Sequence, residues 1–172
     1  MQRWNILGIS ALVAGLAMAP SGAGAQQKST KDLIVGTWTL LLADYVKDDG
    51  THVPGFGPNP DGSLIFTADG HYSLQIIRNG RPAFAAKDRL KGTADENKAA
   101  VQGMVSHFGT YRIDEAAKTV AFRIEESSFP NWDATSQTRT ITAITDQVLT
   151  YNAPAPSTSG YVRAELAWKK AK

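Results

Sequence analysis

The chain has no cysteine, so neither a disulfide framework nor a lipid-carrying cysteine is available to it. Histidine is scarce too. His52, His71 and His107 lie in three separate segments without the paired spacing that zinc sites use, so no metal is implied. There is no Gly-x-Ser-x-Gly element, no glycine-rich phosphate loop and no dinucleotide fingerprint, and no cofactor is implied. Past residue 25 no apolar run approaches the roughly 20 residues that a membrane-spanning helix needs, so no membrane span is expected.

The opening segment has its own logic. Arg3 supplies a positive start, residues 6–19 are apolar, and Ala23-Gly24-Ala25 gives small residues at a cleavage position. This pattern reads as a secretory signal over residues 1–25 and makes the product secreted or periplasmic. What remains, about 147 residues, suits one well-buried core. It carries 17 basic against 16 acidic side chains, a balance that argues against nucleic acid as a partner. One local excess stands out: Arg78, Arg81, Lys87, Arg89 and Lys91 are opposed only by Asp88.

Residues 26–32 are polar and read as a flexible leader, with the domain proper over residues 33–172. Within it, runs of β-branched and aromatic residues alternate with turn signals, which predicts an all-β chain. Eight strands are expected, near residues 36–47, 63–67, 72–78, 107–114, 119–127, 138–145, 148–152 and 162–170. A period of two is visible in Trp38, Leu40 and Leu42, and again in Val120, Phe122 and Ile124. A single helix is expected between strands three and four, where Thr93 and Glu96 form a capping box ahead of residues 97–106. Its apolar positions, Ala100, Val101, Met104 and Val105, would lie against the sheet or cover an opening.

Connection lengths carry the most information. Strands two and three, four and five, and six and seven are joined tightly, whereas the other links are long and irregular. In an up-and-down meander every second connection falls at the same end, so the long segments gather around one mouth and the tight turns seal the base. Pairing the last strand with the first removes two exposed edges, which predicts a closed eight-stranded antiparallel barrel with room for one small ligand.

At Gly36-Thr37-Trp38 the chain resembles the lipocalin superfamily, whose Gly-x-Trp element opens the first strand and plugs the closed end. In that family a basic residue near the chain end covers the tryptophan; no arginine follows Arg163, so the resemblance leaves Lys169 or Lys170, or Trp168, for that part. More specifically, the chain resembles the bacterial and fungal lipocalin-like domains. The likeness rests on residues 56–60 (Phe-Gly-Pro-Asn-Pro), 69–73 (Asp-Gly-His-Tyr-Ser), 88–93, 96–100, 108–111 and 128–132, and runs from about Leu33 to Lys170. It implies a calycin-type barrel with a pocket, and no particular ligand.

The function expected is the binding of a small, mainly apolar molecule inside the barrel by a monomer. Phe56, Phe129, Trp132 and Tyr161, in the mouth loops, would supply aromatic walls. From the basic cluster Arg78, Arg81 and Arg89 would meet an acidic group if the molecule has one, Arg81 and Arg89 orienting it. Trp38, with Trp168, is the structural plug. Two alternatives stand beside this reading. One is a cyclase or isomerase drawing on Glu125, Tyr111 and Arg123, with Tyr111 also a candidate ligand contact; the other is a cell-envelope interaction module. Because Arg123 and Glu125 alternate with the apolar face of their strand, an inward apolar face would leave both outside.

Overall fold

The computed structural model describes residues 28–155 and 159–172. The expected signal, residues 1–25, lies outside the described residues, as do Gln26 and Gln27 of the expected leader. The remainder of that leader runs into a short helix, α1 (Thr30–Ile34), capped by Ser29 and Asp32 in a reciprocal box.

The chain then forms strands β1 (Gly36–Val46), β2 (His52–Pro54), β3 (Asp61–Phe66) and β4 (His71–Ile77). After helix α2 (Ala94–Gln102) come β5 (Met104–Asp114), β6 (Thr119–Ser127), a 3-10 turn (Pro130–Trp132), β7 (Ser136–Ile144), β8 (Val148–Pro154) and β9 (Arg163–Lys170). All pairings are antiparallel between successive barrel strands, and β9 returns to β1 from Trp38↔Lys170 to Val46↔Arg163. The result is a closed, up-and-down barrel of eight strands.

Strand β2 is an addition to that barrel. It folds back on the outer half of β1, pairing Asp44 with Pro54 and Val46 with His52, after β1 has parted from β3. Three residues long and half exposed, β2 offers too little alternation to be read from sequence. It shifts the count: the helix expected between strands three and four lies between β4 and β5, and α1 precedes β1. The helix is also shorter than expected. Gly103 caps it, and Met104–Ser106 already belong to β5, paired with β4.

Two bulges reset the alternation. Between Leu40 and Leu42 the β1–β9 register slips, so Leu41 and Leu42 both face out and Ala43 takes the inward place expected of Leu42. In β5 the slip falls at Phe108/Gly109, where Gly109 has φ +155° and an added Cβ would lie 2.1 Å from the Arg123 carbonyl oxygen. Only glycine fits there. In β6 the alternation runs as expected: Val120, Phe122 and Ile124 are fully buried, whereas Arg123 and Glu125 are exposed.

The tight turns at residues 67–70, 115–118 and 145–147 share one end with α1, and that end is sealed. Trp38 is fully buried there, its indole N–H donating to the Ile34 carbonyl at 2.7 Å. Lys170 Nζ sits 4.2 Å from the centre of the Trp38 ring and donates to the carbonyls of Leu33, at 2.9 Å, and Val35. The residue covering the tryptophan is thus Lys170, while Trp168 stacks against Tyr151 deeper in the wall, with ring centres 6.4 Å apart. Glu115 secures α1 from the neighbouring turn by accepting from the backbone N–H of Lys31 at 2.9 Å.

Helix α2 lies outside the sheet and buries none of its residues. Its capping box is complete: Thr93 accepts from Glu96 N, and Glu96 accepts from Thr93 N and also from Ala85 N at 2.9 Å. With little packing to hold it, the helix depends on that cap. Thr93→Ala is expected to cost about 1 kcal/mol. Hydrogen exchange should show faster exchange in residues 94–102 with little change in the barrel strands; uniform loss across the barrel would contradict this. Among the described residues, no helix is long and apolar enough to cross a membrane.

Candidate functional site in the barrel mouth

The long segments, residues 47–60, 78–103 and 128–135, leave from the end opposite Trp38, and so do the described ends of the last link, residue 155 and residues 159–162. Between them the barrel opens on a cavity of about 380 Å³. Ala43 and Tyr45 of β1, Leu74 and Ile76 of β4, Val105 and His107 of β5 and Ala164 and Leu166 of β9 line it, with Phe56 and Trp132 from the loops. Small side chains on β1 and β9, at Ala43 and Ala164, leave the room; large ones fill the base.

Rings descend from the rim into the interior in edge-to-face contact. Phe129 meets Trp132 at 5.6 Å between centres, Trp132 meets His107 at 6.0 Å, and His107 meets Tyr72 at 5.4 Å. Across the mouth Tyr45 packs between Phe56 at 6.2 Å and Tyr161 at 5.2 Å.

One polar group of the wall lies deep inside. Arg139 of β7 is 4% exposed, and His107 is 1% exposed. Arg139 Nη2 lies 3.1 Å from His107 Nε2, and Nη1 donates to the Tyr151 hydroxyl at 2.9 Å. His107 Nδ1 in turn lies 2.8 Å from the Tyr72 hydroxyl. Guanidinium is a donor only, so Nε2 must accept and the His107 proton resides on Nδ1, pointed at Tyr72. The guanidinium also lies 4.2 Å from the centre of the Phe122 ring. Burial, and secondarily the charge of Arg139, hold the His107 imidazole far below its ordinary range, at about 2, so it is neutral. Burial raises the hydroxyls of Tyr72 and Tyr151 above the ordinary phenol value, only partly offset by Arg139.

The residues singled out from sequence divide into three groups. Phe56 and Trp132 stand on the cavity wall. Arg78, Phe129 and Tyr161 line an outer vestibule that shares Tyr45, Phe56, Val105 and Trp132 with the cavity, and Arg78 reaches toward the Gly55 carbonyl at 3.4 Å. Arg81, Arg89 and Tyr111 are elsewhere. The Arg78 N–H bonds to the Gly103 carbonyl at 2.7 Å, pinching the ends of the long segment together so that its body folds outward. Arg81 then packs on Gly103 in a hollow outside the barrel and Arg89 is exposed, so neither lines the cavity. Tyr111 faces the base, its ring on Phe66 and its hydroxyl donating to the Thr67 carbonyl at 2.9 Å.

Arg139, His107, Tyr72 and Tyr151 were not among the residues expected at the site. A signal existed: Arg139 is two residues from Ile141, in phase with the buried side of β7, and His107 is four from Tyr111 on β5.

Residues 35–171 match the family model described as a lipocalin-like domain. The chain belongs to the lipocalin-like family. Among curated proteins, this lipocalin-like chain is 28% identical over 106 residues to the 4'-hydroxy-3'-methoxypropiophenone carrier protein ppsC of Aspergillus oryzae, covering 57% of this chain and 95% of that one. Among solved structures, a redesigned β-barrel superposes with a TM-score of 0.43 at 12% identity, over 84% of the lipocalin-like chain and 100% of the other.

Proposed function

We propose that the protein is an exported carrier that binds one small, mainly apolar molecule in the barrel, reached through the mouth. The observation that carries this reading is the cavity itself, open at the looped end and closed at the Trp38 end. Its volume lies at the small end of the range for ligand pockets, roughly 300–1,000 Å³. Aliphatic side chains make most of the wall and aromatic ones frame the entrance, which suits a flat, aromatic body. The name of the fungal relative, a carrier of an aryl ketone bearing hydroxyl and methoxyl groups, supports the same class of molecule. Export is supported by Arg3, the apolar run after it and Ala23-Gly24-Ala25.

Binding is favoured over catalysis by the wall's chemistry. Among the described residues that line it there is no carboxylate, and both nitrogens of His107 are engaged, so no side chain there is a free general base.

The test is titration calorimetry with 4'-hydroxy-3'-methoxypropiophenone and related aryl ketones, on the wild-type protein and on Ala164→Phe. Ala164 is 8% exposed and borders the cavity, so a phenyl group there occupies the space that the ligand needs. The expected result is saturable binding by wild type, weakened by about tenfold or more in the variant. Absence of binding by every member of the series, or unchanged affinity in a folded Ala164→Phe, would refute the carrier reading.

A further inference from the structure

We infer that Arg139 anchors an anion site inside the barrel, and that the molecule carried there presents an ionised oxygen, a carboxylate or a phenolate, to its guanidinium. The inference rests on the carrier reading and narrows its ligand class.

The first ground is charge. Arg139 is almost wholly buried, and among the described residues no carboxylate lies within 4.0 Å of it; the ion pairs, His52 with Asp44, Lys91 with Asp88 and Arg163 with Glu165 among them, lie elsewhere. A buried cation ordinarily has an anionic partner, because low-dielectric surroundings penalise the charge. Here the compensation is partial, from the faces of Phe122 and Tyr151 at 4.2 and 5.2 Å. His107 contributes no charge, so the described wall carries one formal charge, and it is positive.

The second ground is hydrogen-bond accounting. Of the five N–H groups of Arg139, three go to His107, to Tyr151 and, at 3.4 Å, to the Gln137 side-chain oxygen. Its Nε is buried without an acceptor. The Tyr72 hydroxyl accepts from His107 and the Tyr151 hydroxyl from Arg139, so each has its own proton left to give. The buried cluster around Arg139 therefore has more donors than acceptors, and it borders a mainly apolar cavity whose other polar lining residues, Ser136, Gln137 and Thr138, are uncharged. A neutral hydrocarbon would leave those donors unmatched, and an ionised oxygen is the group that matches both the sign and the direction. Of the rim arginines expected to do this from sequence, Arg81 and Arg89 are turned away and Arg78 stands in the outer vestibule, so on the described cavity wall itself the cation is Arg139.

The experiment compares matched pairs by calorimetry on the wild-type protein: cinnamate against methyl cinnamate, and nitrophenol against nitroanisole. The ionised member of at least one pair should bind about tenfold or more tightly. In Arg139→Met, similar in length and apolar, that preference should vanish while the neutral member keeps its affinity to within about threefold. Bound nitrophenol should also show its phenolate absorption at a pH at which the free compound is largely protonated, a signature that a purely structural arginine would not produce. Equal affinity within both pairs, or preference for the neutral members, overturns the anion site and leaves the carrier reading in place. Failure of all four probes to bind overturns the anion site, and the carrier reading falls with it where the aryl ketones also fail to bind. Because the decisive comparison is made on wild type, it stands even if Arg139→Met does not fold.

Discussion

Replacing Trp38 by alanine is expected to remove about 3–5 kcal/mol of folding stability, read from urea denaturation followed by circular dichroism. The side chain is fully buried, its N–H satisfied by Ile34 and its face covered by Lys170, so truncation leaves a cavity that the sealed base cannot collapse to fill. The lysine's charge would also lose the ring beneath it. Against a typical total of about 5–15 kcal/mol this is a large share. Trp132→Ala provides the contrast. That side chain is only partly buried, at the mouth, so the variant should lose ligand affinity with a much smaller change in stability. A Trp38→Ala protein within about 1 kcal/mol of wild type would show that the plug is not structural.

Acidification from about pH 7 to about pH 5 is expected to cost about 2 kcal/mol through His107 alone. Folded, this imidazole is held neutral down to about 2; unfolded, it takes up a proton near its ordinary 6.5. Between those values the unfolded chain binds more protons, so its contribution to stability is complete above about 6.5 and declines as the pH falls. The exposed carboxylates with lowered values, such as Asp32, Asp69 and Glu115, start from ordinary values of 3.8 and 4.5 and act in a lower window. In His107→Gln the slope between about pH 6.5 and pH 5 should flatten. An unchanged slope in that variant would assign the acid sensitivity elsewhere.

What the sequence made legible follows from what it repeats. Strand positions came from apolar alternation and turn chemistry, and the sorting of long and tight links put the cavity at one end. The helix start was marked by side chains, Thr93 and Glu96, whereas its end at Gly103 was set by pairing of Met104–Ser106 with β4, a tertiary effect. Leu42 was misplaced because a bulge changes phase without a residue to announce it. The site was half legible. Phe56 and Trp132 could be found as aromatics in mouth loops, whereas the arginines expected to meet an acid were those of the rim, and Arg139 was not singled out. Arg81 and Arg89 are carried outward by the pinch between Arg78 and Gly103, a contact with no local signature. Arg139 was hidden by the ordinary expectation that charge faces water, and phase with Ile141 was the clue against it.

A barrel sealed at Trp38 has a single doorway, and that constrains its kinetics. Arrival and departure retrace one route, so by detailed balance a substitution that only lowers the threshold, at Phe129 or Tyr161 for example, must quicken both by one factor and leave the dissociation constant untouched. A change at the inner wall instead alters how long the guest stays. Entry rate and affinity can thus be tuned by separate sets of residues, the first by the loops and the second by the strands.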